Sequence, residues 1–226
     1  MRKTIFSWLG KEFVELSGEA KPAATATEEA REVFQRFDQA LRQTGLSLDH
    51  TVRSRLWGRD RQSRDQGSDE RVKILSGKAR SASSSYIAPV HFDSNANVAV
   101  DLIAMRPSRN DAQKRLVEYD PPIVPLRYLV YDSIVILSGV TTVLPTLSEQ
   151  LDNILPRIEG SLREAGSSWS RVAKISFYLH RSHSIENLMQ LFRRHVSADI
   201  PQLEYEFVDG YSAEGKLCEV EVTATL

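Results

Sequence analysis

Cysteine is almost absent from this chain. Cys218 is the only one, which excludes an intramolecular disulfide and any metal site built from thiolates alone. Net charge is scarce too: 29 Lys and Arg stand against 30 Asp and Glu, a formal charge of −1. No global field exists to hold a polyanion or a membrane surface. Long apolar runs are also missing. The stretch Thr4-Ile5-Phe6-Ser7-Trp8-Leu9 meets Lys11 and Glu12 too early for a signal-peptide core. No segment reaches the roughly 18 uninterrupted apolar residues of a membrane span. A reducing, cytoplasmic setting without a membrane partner is expected.

The common catalytic signatures are lacking as well. There is no Gly-x-Ser-x-Gly elbow and no Gly-x-Gly-x-x-Gly turn. Gly77-Lys78 fails as a phosphate loop, because Val72 stands where the first glycine belongs and Ala79 where Ser or Thr belongs. His180 and His183 flank Arg181 with no carboxylate pattern nearby, so they read as exposed histidines and no metal is expected. From Thr51 to Arg80 there are nine Lys/Arg and four Asp/Glu, but Trp57 is the one aromatic there. A solvated loop fits that stretch better than a nucleic-acid surface.

What is present is a repeat. At an offset of 121, Ser17-Gly18 falls on Ser138-Gly139, Thr25 on Thr146, Glu28 on Glu149, Leu41-Arg42 on Leu162-Arg163, Gly45 on Gly166 and Ser47 on Ser168. Val33 and Phe37 meet Ile154 and Ile158, which preserves apolar character. Ordered matches at one offset favour an internal duplication. The 226 residues then divide into two small domains, 1–106 and 128–226. The segment 107–127 between them holds Pro107, Pro121, Pro122 and Pro125, which suits a linker or an extended crossing.

Both copies share one coarse pattern. Phe13–Leu16 and Ile134–Leu137 are short apolar runs ending at a Ser-Gly break, as in a strand entering a turn. Helices follow, with apolar residues at spacings of three and four. The first has Thr27 as available N-cap and Gly45 at its stop; the second runs to Gly166, with Pro156 expected to kink or break it. Strands are expected at Thr51–Gly58, Ala79–Ala88 and Asn97–Met105, then at Arg171–Leu179, Leu203–Val208 and Leu217–Leu226. A short helix is expected from Ser184 to His195, whereas Arg59–Arg71 reads as a polar loop. The order β-β-α-β-α-β-β, or a reduced form of it, implies an α+β fold with helices on one face of each sheet.

Several of these segments resemble the RidA/YjgF (endoribonuclease L-PSP-like) family. In the second copy they are Val135–Gly139, Leu162–Gly166, Val172–Leu179 and Cys218–Ala224. In the first the likeness rests on Leu16-Ser17-Gly18, Leu41–Gly45, Val52-Arg53 and Lys78-Ala79-Arg80-Ser81, which is similar to the family's Pro-Ala-Arg-Ser segment. The resemblance implies a tandem of two chorismate mutase-like domains, each a mixed sheet backed by helices. It also implies ligand sites in clefts between domains, and homo-oligomers, such as a trimer, that close rings of three domains. The deaminase branch hydrolyses reactive imines and enamines, such as 2-iminobutanoate, to 2-keto acids and ammonia without a cofactor.

A substrate of that kind needs an arginine fork for its carboxylate and an acid or base at the reacting carbon. The resemblance assigns these roles to Arg80 and Glu219, with Ser17, Gly18, Ser138, Gly139 and Tyr128 completing the pocket. Each copy has kept one of the two groups, since Leu203 replaces the second arginine and Ala99 the first glutamate. A composite site forms if Arg80 and Glu219 share a cleft. If they do not, a non-catalytic ligand-binding or chaperone-like protein is the alternative, with endoribonuclease activity less favoured. Alternation alone reads Glu219 and Glu221 as a solvated strand face, with Cys218 packed on the other side.

Overall fold

Both halves of the chain build the same succession of elements. The first contributes strands β1 (Arg2–Trp8) and β2 (Lys11–Glu19), helix α1 (Ala26–Arg42), strand β3 (Thr51–Gly58), helix α2 (Arg61–Ile74), and strands β4 (Ala82–Ile87) and β5 (Val98–Arg106). After a short strand β6 (Arg115–Val117), the second contributes β7 (Tyr128–Tyr131), β8 (Ile134–Thr141), α3 (Leu147–Ala165), β9 (Val172–His180), α4 (Ile185–Phe192), β10 (Gln202–Val208) and β11 (Cys218–Thr225). The structure, a computed structural model, describes residues 1–109 and 111–226. Asn110, inside the segment read as a linker, lies outside the described residues.

The offset of 121 holds at the level of individual bonds. Thr25 caps α1 and Thr146 caps α3, each in a reciprocal capping box with the glutamate three residues on, Glu28 and Glu149. Gly45 and Gly166 follow these helices with φ of 74° and 91°, the left-handed backbone that only glycine adopts freely. Val33, Phe37 and Leu41 are buried on α1, as Ile154, Ile158 and Leu162 are on α3. Strand order is β1-β2-β5-β3-β4 in one sheet and β10-β9-β11-β8-β7-β6 in the other. In each sheet a helix crosses over between two parallel strands, β3 to β4 and β9 to β10.

Helices cover one face of each sheet, burying two separate apolar cores. The helix-free faces turn toward each other. At one end of that contact Phe13, Met105, Leu129, Ile134 and Ile136 pack together. At the other, Trp57, Tyr86, Tyr178 and Tyr211 form an aromatic cluster, in which Tyr86 and Tyr178 stack at 4.1 Å. Charged groups of both sheets meet in the space between. Among the described residues no helix is long and apolar enough to cross a membrane.

Four expectations need correction. Thr25, not Thr27, caps α1. Pro156 does not break α3, which runs on through Ala165; it sits on the exposed side, where water can replace the lost backbone partner. The segment 107–127 is not wholly unstructured, because Arg115–Val117 pairs with β7. Most consequential, Arg59–Arg71 is no loop but the start of α2, capped by the Asp60 side chain on the Ser63 amide. Its buried residues are Ser63, Gly67, Ser68, Glu70 and Arg71 instead of large apolar ones, so hydrophobic periodicity is silent there. A Cβ on Gly67 would lie 3.1 Å from both Leu56 and Val98, which shows how closely α2 sits on the sheet.

Glu29 supplies a test of the first domain. It is fully buried on α1 and accepts hydrogen bonds from the amides of Asn97 at 2.6 Å and Val98 at 2.9 Å. Gln150, its counterpart at the offset of 121, accepts from the Leu217 amide at 2.8 Å. Glu29→Ala is expected to lower unfolding free energy by about 3 kcal/mol through orphaned amides, and Glu29→Gln by less. Equal urea midpoints for wild type and Glu29→Ala would contradict this role.

Candidate functional site

Glu219 and Glu221 project from one face of β11, two residues apart, and that face is buried between the sheets. The solvated reading of their alternation is therefore overturned. Two positive side chains on β3 meet Glu221: Arg53 Nη1 and Arg55 Nη2 lie 2.7 and 2.8 Å from its Oε2. Arg53 Nη1 approaches off the hydrogen-bonding direction and has no aligned partner, whereas Arg55 Nε donates at 2.9 Å. The hydroxyl of Ser84 on β4 donates to the other carboxylate oxygen. Burial opposes a charge here, but Arg53 and Arg55, with the hydrogen bonds from Arg55 and Ser84, outweigh it and bring the Glu221 pKa down to about 2.

Glu219 has the opposite setting. It forms no ion pair among the described residues, and its Oε1 accepts from the Tyr86 hydroxyl at 3.2 Å. Burial, reinforced by the charge on Glu221, outweighs Lys216, Tyr86 and Arg64 and lifts its pKa to about 7. Gly139 on β8 makes room for this side chain: a Cβ at that position would fall 1.8 Å from Glu219 Oε1. No larger residue could stand there with the acid in place.

The acid opens into a cleft of about 180 Å³ between the two copies. Its walls include Arg64 and Arg71 from α2, Ser83–Ser85 from edge strand β4, Arg157 from α3 and Lys216 before β11. Arg64 and Arg71 are seven residues apart, two turns of helix on one face. They reach to the edge of β4, where Arg71 donates to the Ser84 carbonyl and Arg64 Nε donates to Ser85 Oγ at 3.0 Å. Burial, then the neighbouring charge of Arg64, lowers the Arg71 pKa to about 10, so it stays cationic at neutral pH. Among the described residues Arg71, Arg157 and Lys216 make no ion pair. Arg157 bonds the Thr141 carbonyl at 2.9 Å, and Lys216 bonds Ser212. Arg64 is itself paired with Asp65, so three uncompensated cations, Arg71, Arg157 and Lys216, surround one proton-holding carboxyl, an arrangement that suits an anionic ligand.

Of the residues expected from sequence, Glu219 and Gly139 line this cleft. Arg80 does not. Its guanidinium makes a two-pronged ion pair with Glu118, at 2.7 and 2.8 Å, and its position belongs to a minor neighbouring crevice. Ser17 and Gly18 border a separate surface depression near Met1. Ser138 is buried and accepts from the Ser83 amide at 3.1 Å, a link between the copies. Tyr128 is buried and donates to Glu164 at 3.1 Å. The cation role expected of Arg80 is available instead from Arg71, with Arg64 beside it paired to Asp65; the loop reading of α2 concealed both. Their spacing of seven behind Asp60 as N-cap is the signal that could have found them.

The two carboxyls give the fold opposed pH dependences. The folded pKa of Glu219 lies above its ordinary value of 4.5, so its contribution is complete below about pH 4.5 and is lost as pH rises through about 7. That of Glu221 is depressed, so its contribution is present above about pH 4.5 and is lost as pH falls through about 2. Glu219→Gln is expected to remove about 3 kcal/mol of stability change between pH 4.5 and 7. An unaltered slope of urea stability against pH in that variant would contradict the assignment.

No family model matches the chain, and no curated protein matches it. Solved structures do. One is a member of the YjgF/YER057c/UK114 family from Mycobacterium tuberculosis, 20% identical, covering 50% of this chain and 100% of its own, with a TM-score of 0.44. A putative endoribonuclease L-PSP from Entamoeba histolytica matches with the same identity, coverage and score. A chorismatase is similar over 98% of this chain and 79% of its own, with 14% identity and a TM-score of 0.64. The last spans both copies at once. The fold, a tandem of two α+β domains, is thus similar to that of a chorismatase along nearly the whole chain.

Proposed function

We propose that the cleft binds a small molecule with one or two carboxylates and hydrolyses an enol ether or an enamine, the tautomer of an imine included, with Glu219 as the acid. The observation that supports this reading most strongly is a single proton-holding carboxyl in a cleft whose other charged walls are cations. Arg71 on one side, with Arg64 beside it, and Arg157 and Lys216 on the other, offer places for two anionic groups. Ser83, Ser84 and Ser85 add small polar groups that leave space for the ligand.

The chemistry follows from the acid. Glu219 gives its proton to the terminal carbon of an electron-rich double bond, so a C–H bond forms and the π pair is consumed. The adjacent carbon becomes an oxocarbenium or iminium centre, and water attacks it while the Glu219 carboxylate takes the water's proton. Collapse of that adduct breaks the C–O or C–N bond and releases a 2-keto acid with an alcohol or ammonia. One water is consumed, and Glu219 is protonated again. A pKa near the working pH suits a group that must act as both acid and base.

Chorismate is the first compound to test, because it is a dicarboxylate with an enolpyruvyl ether and the whole-chain structural relative is by name an enzyme acting on it. Iminobutanoate generated by an amino-acid oxidase is the second. Keto-acid release from at least one is expected, with kcat falling as pH rises above about 7. Glu219→Gln should lose about 10²–10⁴-fold in kcat, Arg71→Lys should chiefly raise KM, and Gly139→Ala should behave like loss of the acid. Undiminished turnover in Glu219→Gln, or none of either compound by wild type, would overturn the proposal.

A further inference from the structure

A second cavity, of about 280 Å³, shares no lining residue with the cleft. It lies among the helix-free sheet faces and has two contrasting ends. Phe6, Trp8 and Phe13 form an aromatic wall, with Phe6 and Phe13 stacked at 5.6 Å and Trp8 5.7 Å from Phe13. Charged side chains of both signs stand at the other end, among Val52, Ile103, Ile136 and neutral polar residues. Arg53 and Arg55 are buried and share the carboxylate of Glu221, with Asp101 on β5 also opposite Arg55; Arg53 Nη2 donates to the Val222 carbonyl at 3.0 Å, but Arg53 Nη1 has no aligned hydrogen-bond partner. Lys174 is already paired with Glu204 at 2.7 Å. Glu15 is half-buried, lines the cavity and makes no ion pair among the described residues.

Register fixes how the unmatched groups are disposed. Glu15 on β2 and Arg53 on β3 both oppose Ile103 on the intervening β5. Their backbones are therefore two strand spacings apart, roughly 10 Å, with the side chains converging on one cavity. An anion alone would leave Glu15 unmatched, and a cation alone would leave Arg53 Nη1 unmatched. A zwitterion with an apolar ring satisfies both groups and the aromatic wall. The volume, near the lower end for ligand pockets, admits one small molecule.

We propose that this cavity binds a free aromatic amino acid, its carboxylate on Arg53, its ammonium on Glu15 and its ring against Phe6, Trp8 and Phe13. This is a site separate from the cleft and stands whether or not the cleft turns over a substrate. Offset stacking and ring-edge contacts favour an aromatic over an aliphatic side chain.

Isothermal titration of the full chain with L-tryptophan and L-phenylalanine tests it, alongside 3-phenylpropanoate, which lacks the ammonium, and 2-phenylethylamine, which lacks the carboxylate. Saturable one-to-one binding of an amino acid is expected, at least about tenfold tighter than either analogue. Glu15→Gln, with circular dichroism unchanged, should weaken the amino acid about tenfold and leave 3-phenylpropanoate unaffected. Phe6→Ala, on the exposed edge strand, should weaken both. Absence of binding at millimolar amino acid would overturn the proposal. So would equal affinity in Glu15→Gln, or loss of binding in Arg71→Lys with retention in Glu15→Gln, which would put the ligand in the cleft.

Discussion

Glu221 is ionised in the interior of the molecule because two arginines from the other copy reach it across the sheet-to-sheet contact. Replacing such a cluster with apolar groups can leave a protein as stable or more so, whereas removing one member strands a buried charge at a cost of about 3–5 kcal/mol. Its effect here is one of register. Arg53 and Arg55 share one face of β3 and Glu219 and Glu221 share one face of β11, so the ion cluster sets which residues of the two sheets face each other. A slip by one residue would turn all of them to the opposite face.

The same cluster governs the cleft. Once Glu221 is pinned as an anion, a second carboxylate two residues along the strand meets both burial and a like charge, and Glu219 keeps its proton. Two glutamates of one strand thus acquire distinct chemical roles from their surroundings. Ser84 and Tyr86 on β4, which share a strand face, bond one carboxyl each and tie the pair to the first copy. Gly139 then leaves the acid open to the cleft, and α2 brings the cations. Each copy supplies what the other lacks, so the site is a property of the duplicated chain and not of either half.

Much of the architecture was legible in the sequence because its signals are local and repeated. Thr25 and Thr146, Gly45 and Gly166, and the apolar stripes of α1 and α3 recur at one offset, and caps and glycine stops depend on neighbours a few residues away. The site was less legible for two physical reasons. First, α2 packs through serine and glycine, so its inward face carries no hydrophobic period and its arginines appear to belong to a loop. Second, a strand whose polar residues face another sheet has the same alternation as one that faces water; only the partner surface separates the two cases. Glu219 was named from family likeness and lines the cleft, whereas Arg80 lies outside it, in a pairing with Glu118 that no local signal reveals because the partner is 38 positions away.

The protonation state of Glu219 is where these relations can be read directly. Infrared difference spectra of wild type against Glu219→Gln, taken across a pH titration of the unliganded protein, isolate the carbonyl stretch of that one carboxylic acid. The band is expected to persist through mild acidity and to vanish with a midpoint at about pH 7. A midpoint in the ordinary glutamate range, near 4.5, would show that the buried Glu221 charge and the dry contact between the sheets do not hold the proton, and the cleft would have no acid to offer.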